Sequence, residues 1–557
     1  MKWFRTSNPY VLLAPAVLIT ILLLGYGIVM AFLESIKYYN QPTLSVYREL
    51  FSDEIFITSI LYSLRIAFIS TILSILIGLI IVRSLYPILK DKFPKLIAWM
   101  PMVFPHFIWG YMLFLLFSQT GYISSFLSGM GLIDLPNEFP VLFKDSFGIG
   151  IIITYVWKEV PFVILMLLPV YEQLSNAQKE LVYTLGGRRW DVFWHVERPY
   201  VFPVMLETFF IIFAFVVSAY EVPALLGATY PKMIPVISYD WFFGSDWTKQ
   251  PYAFAAMFLL TIFIVLIVFL TYVFTRKGRI HLSQSSGSFH NLKAENSKYS
   301  RVLFFTMLGM TFLPIFILVL TSFVQRWGYG ELLPSSFTTR GWYEMLWHGS
   351  KFTEAIYTSL GISLLVLLLN LLIGLPAAKG LAFHIFQGKS VVETLLLSPI
   401  LIPSIVIALG VHLTFIKLGI ANHWTGVVIV HLLPTLPYTI KVLRAGFERI
   451  GKRQEEIAVS LGAGAWGVFR NVYLPQLIPS IRSVVFLVTV ISLGQYFLTA
   501  LIGGGEVNTM AILFFPYFQT TNDAVIASFS ILFAMIPIAV WLLIEGALRF
   551  IIPKHPR

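Results

Sequence analysis

Long apolar runs separated by short polar stretches dominate this chain, and run length rather than periodicity defines its elements. About 20 apolar residues are needed to cross the hydrocarbon layer of a bilayer. Twelve segments reach that length: 10–33, 55–84, 96–118, 147–171, 200–222, 252–275, 301–324, 353–383, 391–418, 425–447, 478–502 and 524–551. Backbone groups in lipid must be satisfied within their own segment, which makes each of these runs a helix. Pro101, Pro105, Pro399 and Pro403 fall inside the third and ninth runs and predict kinks there, because proline lacks an N–H and its ring displaces the carbonyl four residues back. The predicted fold class is an all-α membrane protein of about twelve transmembrane helices.

Composition supports this reading. Hydrophobic residues make up 57% of the chain and charged residues 12%, roughly half the charged share of a soluble domain. A net charge of +11 would suggest a nucleic-acid partner in a soluble protein, but its distribution gives another reason. With the N-terminus in the cytoplasm, Arg83, Lys90, Lys92, Lys95, Lys179, Arg188, Arg189, Arg276, Lys277, Lys441, Arg444, Lys452 and Arg453 fall inside, whereas Glu49, Asp53, Asp134, Glu138, Asp145, Asp240 and Glu331 fall outside. That bias predicts a multi-pass protein of a bacterial cytoplasmic membrane with both termini cytoplasmic. Membrane lipid, not nucleic acid, is the partner the composition requires. The run 10–33 is long enough to span and has no small-residue cleavage site, so it is read as a first span rather than a removable signal. The absence of cysteine excludes disulfides and thiolate metal sites.

The chain repeats itself. LGGRRWDVFWHVERPYVFP (185–203) aligns without gaps to LGAGAWGVFRNVYLPQLIP (461–479) at a shift of 276, with Leu185/Leu461, Gly186/Gly462, Trp190/Trp466, Val192/Val468, Phe193/Phe469, Val196/Val472, Pro199/Pro475 and Pro203/Pro479 identical. Ser63-Leu64 matches Ser359-Leu360 and Ile77-Gly78 matches Ile373-Gly374 at a shift of 296, and Pro101 and Pro105 match Pro399 and Pro403 at 298. The fall to 276 marks a longer outer loop near 119–146 in the first half, whose apolar piece ISSFLSGMGLI is expected to lie flat on the membrane. Six spans per copy insert the two copies the same way up, as a parallel repeat, and a pathway between the halves is the natural expectation. The division is a first helix and outer loop over 1–54, a first repeated unit over 55–275, a polar linker over 276–300, a seventh helix and outer loop over 301–352, and a second repeated unit over 353–551.

The best-matched segment lies on the cytoplasmic side between the fourth and fifth spans of each half, where a plain connection needs only a few residues. Each copy instead predicts a short helix with an apolar stripe, Leu174, Leu181 and Leu185 in one and Ile450, Ile457 and Leu461 in the other. Ser175 with Gln178 predicts a capping box at the start of the first. Gly186 and Gly462 then predict left-handed helix ends, and Trp190, Phe193 and their mates begin a second amphipathic piece. Such a helix either rests on headgroups or fits a groove in a cytoplasmic partner, and its recurrence at matched positions favours the partner.

These residues resemble the cytoplasmic loop signature of binding-protein-dependent ABC importer permeases: a Glu, an Ala two residues on, a Gly six after the Glu, a β-branched residue ten after the Gly, then Leu-Pro. Glu456, Ala458, Gly462, Val472, Leu474 and Pro475 carry it in the second copy, with Ile457 in place of the first alanine. In the first copy Glu180, Gly186, Val196 and Pro199 fit, but Leu181 and Val182 replace both alanines and Arg198 replaces the leucine. YEVPALLG (220–227) and SLGQYFLTALIGG (492–504) add to the resemblance, which covers both six-helix units and is similar to the fused permeases of iron(III) and thiamine importers. It implies a type I importer fold, two copies of a cytoplasmic ABC ATPase bound by the loops, and an external solute-binding protein. A small solute (iron(III), thiamine, phosphonate or polyamine-like) would be the cargo. ATP with Mg²⁺ would sit on the partner. This chain lacks a phosphate-binding loop, since Gly388-Lys389-Ser390 is preceded by Phe383 where the motif needs glycine, so it is read as a translocation subunit and not an enzyme, with no cofactor of its own.

Charge within the apolar runs is the remaining signal. Lys158, Glu159 and Glu207, with Glu221 at the end of the fifth run, either line a translocation pathway or compensate one another locally. His106, His412 and His431 lack metal-ligand spacing, so no metal site is expected. The alternative function is an ion-coupled secondary transporter, which would need carboxylates deep in the spans of both halves and would have no use for the cytoplasmic repeat.

Overall fold

A computed structural model describes residues 8–38, 41–89, 91–174, 176–275, 298–348, 350–520 and 522–551. Ser175, and with it the capping box, lies outside the described residues, as does most of the 276–300 linker. Among the described residues ten helices are long and apolar enough to cross a membrane, and twelve if each of two bent pairs counts as one span. The bent pairs are the predicted third and ninth spans. Lys92–Val103 turns by 94° into His106–Gly129, and Lys389–Ile400 turns by 91° into Ser404–Lys417. Pro105 and Pro403 stand at the turns, so the predicted kinks are near right angles.

Two other boundaries differ from expectation. The fifth helix runs Arg189–Ser218 and the eleventh Ala465–Leu493, and each is followed by a separate short helix, Glu221–Leu226 or Tyr496–Gly503. Both helices therefore begin within the repeated loop segment. The Pro223 ring would collide with the Ala219 carbonyl in a continuous helix, which ends the first of them. Glu221 accordingly starts a new helix rather than ending the fifth span.

Contacts divide the chain into two compact units that are not contiguous in sequence. One comprises residues 51–237 and 259–337, the other residues 1–50, 238–258 and 338–557. The first span of each half thus belongs with the other half's bundle: Pro9–Ser35 packs on Ser350–Phe383 and Ser404–Lys417, and Lys298–Thr321 packs on Glu54–Leu89 and His106–Phe117. Small residues allow these helices to approach. A Cβ on Gly410 would lie 1.8 Å from the Gly27 carbonyl oxygen.

Within each unit the second and fourth spans form the central pair, Glu54–Leu89 on Ile149–Gln173 and Ser350–Phe383 on Trp424–Ile450. Both pairs cross at the same repeat position. A Cβ on Gly78 would meet Val163 at 2.4 Å, and one on Gly374 would meet Thr439 at 2.6 Å. Close approach at a small residue is how helices associate where apolar burial gives no net drive.

The longer loop near 119–146 of the first half has a partner within its own unit. Its helix Tyr122–Gly129 packs on the hairpin formed by Val324–Arg326 and Ser336–Phe337. The Ser124 hydroxyl lies 2.8 Å from that of Tyr329, the Gly330 N–H donates to Ser125 Oγ at 2.9 Å, and the Tyr122 ring meets Trp327 at 4.3 Å. Polar residues on one face of this helix fixed its partner, and apolarity alone was a poor guide.

Candidate coupling loops

The two repeated loops adopt the same local structure. Asn176–Thr184 and Lys452–Ser460 are nine-residue helices. Gly186 and Gly462 follow at φ +83° and +85°, the left-handed region that only glycine enters without strain. Gly186 N–H donates to Tyr183 O at 3.0 Å and Gly187 N–H to Val182 O at 2.9 Å, and the mates Gly462→Val459 and Ala463→Ala458 measure 2.9 and 3.0 Å. Both are Schellman caps, in which two orphan carbonyls are satisfied by the chain turning back on itself. The chain then re-enters a helix at Arg189 or Ala465. Trp190 stacks on Phe193 at 5.4 Å and Trp466 on Phe469 at 5.7 Å, while Val192 and Val468 are buried beneath them. Pro199 and Pro475 occupy the first turn of the straight part of the fifth and eleventh helices, where a missing N–H is harmless.

The predicted apolar stripe divides in two. Leu174 and Ile450, at the root of each loop, are buried, but Leu181, Leu185, Ile457 and Leu461 are 59, 79, 51 and 82% exposed. The short helices therefore present an open apolar face rather than packing it into their own unit. Glu180 is exposed and Glu456 is exposed with Lys452 at 3.7 Å, while Ala458 is half-buried.

Sequence reasoning missed the ion pairs that tie each loop to its bundle. In the first half Arg83, on the second span, reaches Glu197 Oε2 at 2.8 Å and donates to the Arg189 carbonyl at 2.7 Å, and Tyr171 donates to the same carboxylate at 3.2 Å. In the second half Lys379, also on the second span of its repeat, reaches Glu455 Oε1 at 2.6 Å, and Tyr473 donates to Glu455 Oε2 at 2.5 Å. Beside this pair, burial and then the Lys452 and Lys379 charges hold the His384 imidazole below its ordinary pKa, so it stays neutral and leaves Glu455 to the lysine. Lys379 was visible as a lone cation in the run 353–383, but its partner lies 76 residues away in sequence.

The charges within the spans do not gather into one site. Lys158 is buried and donates to the carbonyls of Pro101 at 2.8 Å and Phe104 at 2.6 Å. In an unbroken helix the Pro101 carbonyl would accept from residue 105, but that residue is proline, so the ammonium supplies the missing donor. Glu159 is buried beside it, with one oxygen 3.1 Å from His106 Nε2. Glu207 is exposed, and Glu221, half-buried, lies with Glu159 within electrostatic reach of Tyr155. At the equivalent positions of the second half stand Pro434, Thr435, Ser483 and Phe497, and Thr435 belongs to a neutral network nearby. His431 sits between the hydroxyls of Ser492 and Thr499, and Asn370 bridges Thr435 and Thr439. No group of three or more His, Asp or Glu side chains is placed to hold a metal ion among the described residues.

Comparison with known proteins gives this geometry a family. The family described as "binding-protein-dependent transport system inner membrane component" matches residues 74–279 and again 296–554, once per repeat. The inner membrane ABC transporter permease protein YnjC of Escherichia coli is 24% identical over 474 residues, 84% of each chain. The thiamine transport system permease protein ThiP of Haemophilus influenzae is 24% identical over 482 residues, again 84% of each chain. A putative ferric transport system permease protein, FbpB 1, from the same organism is 24% identical over 405 residues, 70% of this chain and 61% of that one. With two family matches that together span most of its length and fall one on each half, the chain belongs to the inner-membrane permease components of binding-protein-dependent ABC importers.

Proposed function

We propose that this permease carries a small solute inward in an assembly driven by ATP hydrolysis on a separate subunit. Two copies of a cytoplasmic ABC ATPase would seat the helices 176–184 and 452–460, and an external solute-binding protein would deliver the cargo. Both termini then lie in the cytoplasm. The observation that carries this reading is the pair of exposed apolar helices, each closed by a Schellman cap and followed by the same stacked Trp-Phe pair. An isolated surface helix with such a face would bind headgroups, but two identical constructions at matched positions suit a partner that has two equivalent grooves. Glu180, Gly186 and Pro199, with Glu456, Ala458, Gly462 and Pro475, are the residues assigned to that contact.

The solute is of the class carried by the relatives, whose names include thiamine and ferric iron. Of the charges inside the spans, Glu159 is the one offered to a passing solute, through the part-exposed His106 ring. Lys158 has a structural duty at the bend. A secondary transporter would place coupling carboxylates in both halves, whereas the second half has Pro434, Thr435, Ser483 and Phe497 at those positions and its buried Glu545 is already paired with Arg482.

Purification from native membranes in mild detergent tests the proposal. An ATPase subunit is expected to co-purify, and reconstituted vesicles are expected to take up solute only with internal ATP and external binding protein. Uptake by the chain alone, driven by a proton gradient, would replace this function with the secondary-transport alternative.

A further inference from the structure

Arg83 and Lys379 are mates at the 296-residue shift of the repeat, yet the acids they bind are not mates. At the 276-residue shift Glu197 corresponds to Tyr473, and Glu455 corresponds to Lys179. The same cation on the second span therefore fastens different parts of the two loops. In the second half it grips Glu455, in the first turn of the short helix itself. In the first half it grips Glu197 and the Arg189 carbonyl, both beyond the glycine cap. The tyrosine that completes each triad also changes place, coming from beyond the cap in the second half (Tyr473) and from the fourth span in the first (Tyr171). Burial reverses as well. The Lys379 side chain is 3% exposed and Glu455 20%, whereas Arg83 is 30% exposed and Glu197 6%.

The consequence follows from the joints. The helix Lys452–Ser460 lies between Gly451 at φ +77° and Gly462 at φ +85°, so the chain changes direction at each end of it, and the Lys379–Glu455–Tyr473 triad fastens it between them. The helix Asn176–Thr184 has no acid at the position of Glu455. Lys179 stands there instead and, among the described residues, lies over the ring faces of Tyr86 at 5.5 Å and Tyr171 at 5.9 Å. A cation over a ring near the surface is worth less than a buried ion pair with a shared hydrogen bond.

We infer that the two coupling loops transmit force unequally: Lys379 is the positioning residue that makes the second helix move as one body with the second span of its repeat, while the first helix is hinged at Gly186 and yields. This inference rests on the loops being the ATPase contacts, but its mechanical half does not. A partner pushing equally on both helices would displace the helix 350–383 through a buried ion pair, and would reach 54–89 through the weaker Lys179–Tyr86 ring contact and through the segment after Gly186.

The chain contains no cysteine, so single nitroxide labels can be placed at the mates Thr184→Cys and Ser460→Cys in the full-length protein in lipid nanodiscs. The label at 460 is expected to give the more immobilised spectrum. Lys379→Ala should mobilise it and leave 184 unchanged, Lys379→Arg should restore it, and the exchanged pair Lys379→Glu/Glu455→Lys should restore it in part. Tyr473→Phe keeps the ion pair and serves where the alanine variant fails to fold; it should mobilise 460 to a lesser degree. Equal spectra at the two sites, or no response at 460 to either Lys379→Ala or Tyr473→Phe, would overturn the inference. In the complex with its ATPase, Lys379→Ala is expected to lower solute moved per ATP hydrolysed by about tenfold while hydrolysis persists, with recovery in Lys379→Arg. If no ATPase binds the chain, the coupling role fails while the spectra still report whether the pin exists.

Discussion

Gly462→Val abolishes ATP-driven uptake while the protein still inserts and purifies: that is the largest functional effect expected of any single replacement in this chain. The reason is conformational and not steric. A Cβ at Gly462 would meet nothing within 4 Å, so no neighbour obstructs it. The cost comes from φ +85°, which disfavours any L-residue by about 1–2 kcal/mol and a β-branched one by more. A bundle of this size tolerates that loss, but a nine-residue helix held by two capping hydrogen bonds does not keep its cap. Without the cap, the Gly462 and Ala463 N–H groups leave Val459 and Ala458, the last turn frays, and Leu461 leaves the apolar face. Gly462→Asn, which accepts the left-handed region more readily, should retain most uptake, and Gly462→Ala should fall between. Normal uptake by the valine variant would show that the shape of this turn does not matter to transport.

Lys158→Met is expected to have the largest effect on stability. It leaves the Pro101 and Phe104 carbonyls without their donor and Glu159 buried beside no cation. Leaving a buried polar group without its partner costs about 1–3 kcal/mol, and losing the donor to both carbonyls is enough to lower the thermal transition of the detergent-solubilised protein and shift it toward aggregate on gel filtration. The double variant Lys158→Met/Glu159→Gln should recover part of the loss, because an unpaired buried charge costs more than a neutral amide. A Lys158→Met protein as stable as the parent would mean that the bend near Pro105 is held by something other than this ammonium. A stable double variant that has lost uptake would place Glu159 on the solute's path.

Much of this architecture was legible because the bilayer restricts backbone to helices and the repeat fixes their order. The proline pairs of the third and ninth spans marked true bends, and glycine at 186 and 462 marked left-handed caps. What stayed hidden depended on tertiary neighbours. Pro223 ended the fifth helix before Glu221, although hydropathy continued past it. The serines of 122–129 bond to the hairpin 324–337, a partner that apolarity gave no sign of. Lys158 read as a candidate pathway charge, and only the position of the Pro101 carbonyl discloses its use at the bend. The ion pairs of Arg83 and Lys379 were the least accessible, since the repeat aligns each cation with its mate but aligns neither acid with the other. The short helices and their glycine caps were legible by contrast, because helical spacing and a left-handed glycine are local signals.

Docking of the loops is tested most directly by cross-linking. Single cysteines at Leu185 and Leu461, in an otherwise cysteine-free chain, would be treated in native membrane vesicles with a short bifunctional thiol reagent. The expected result is a covalent adduct with the ATPase subunit from both positions, changed in yield by ATP, and no labelling by an impermeant maleimide added from outside the cell. Labelling from the outside, or protection by lipid alone with no adduct at either position, would contradict the account.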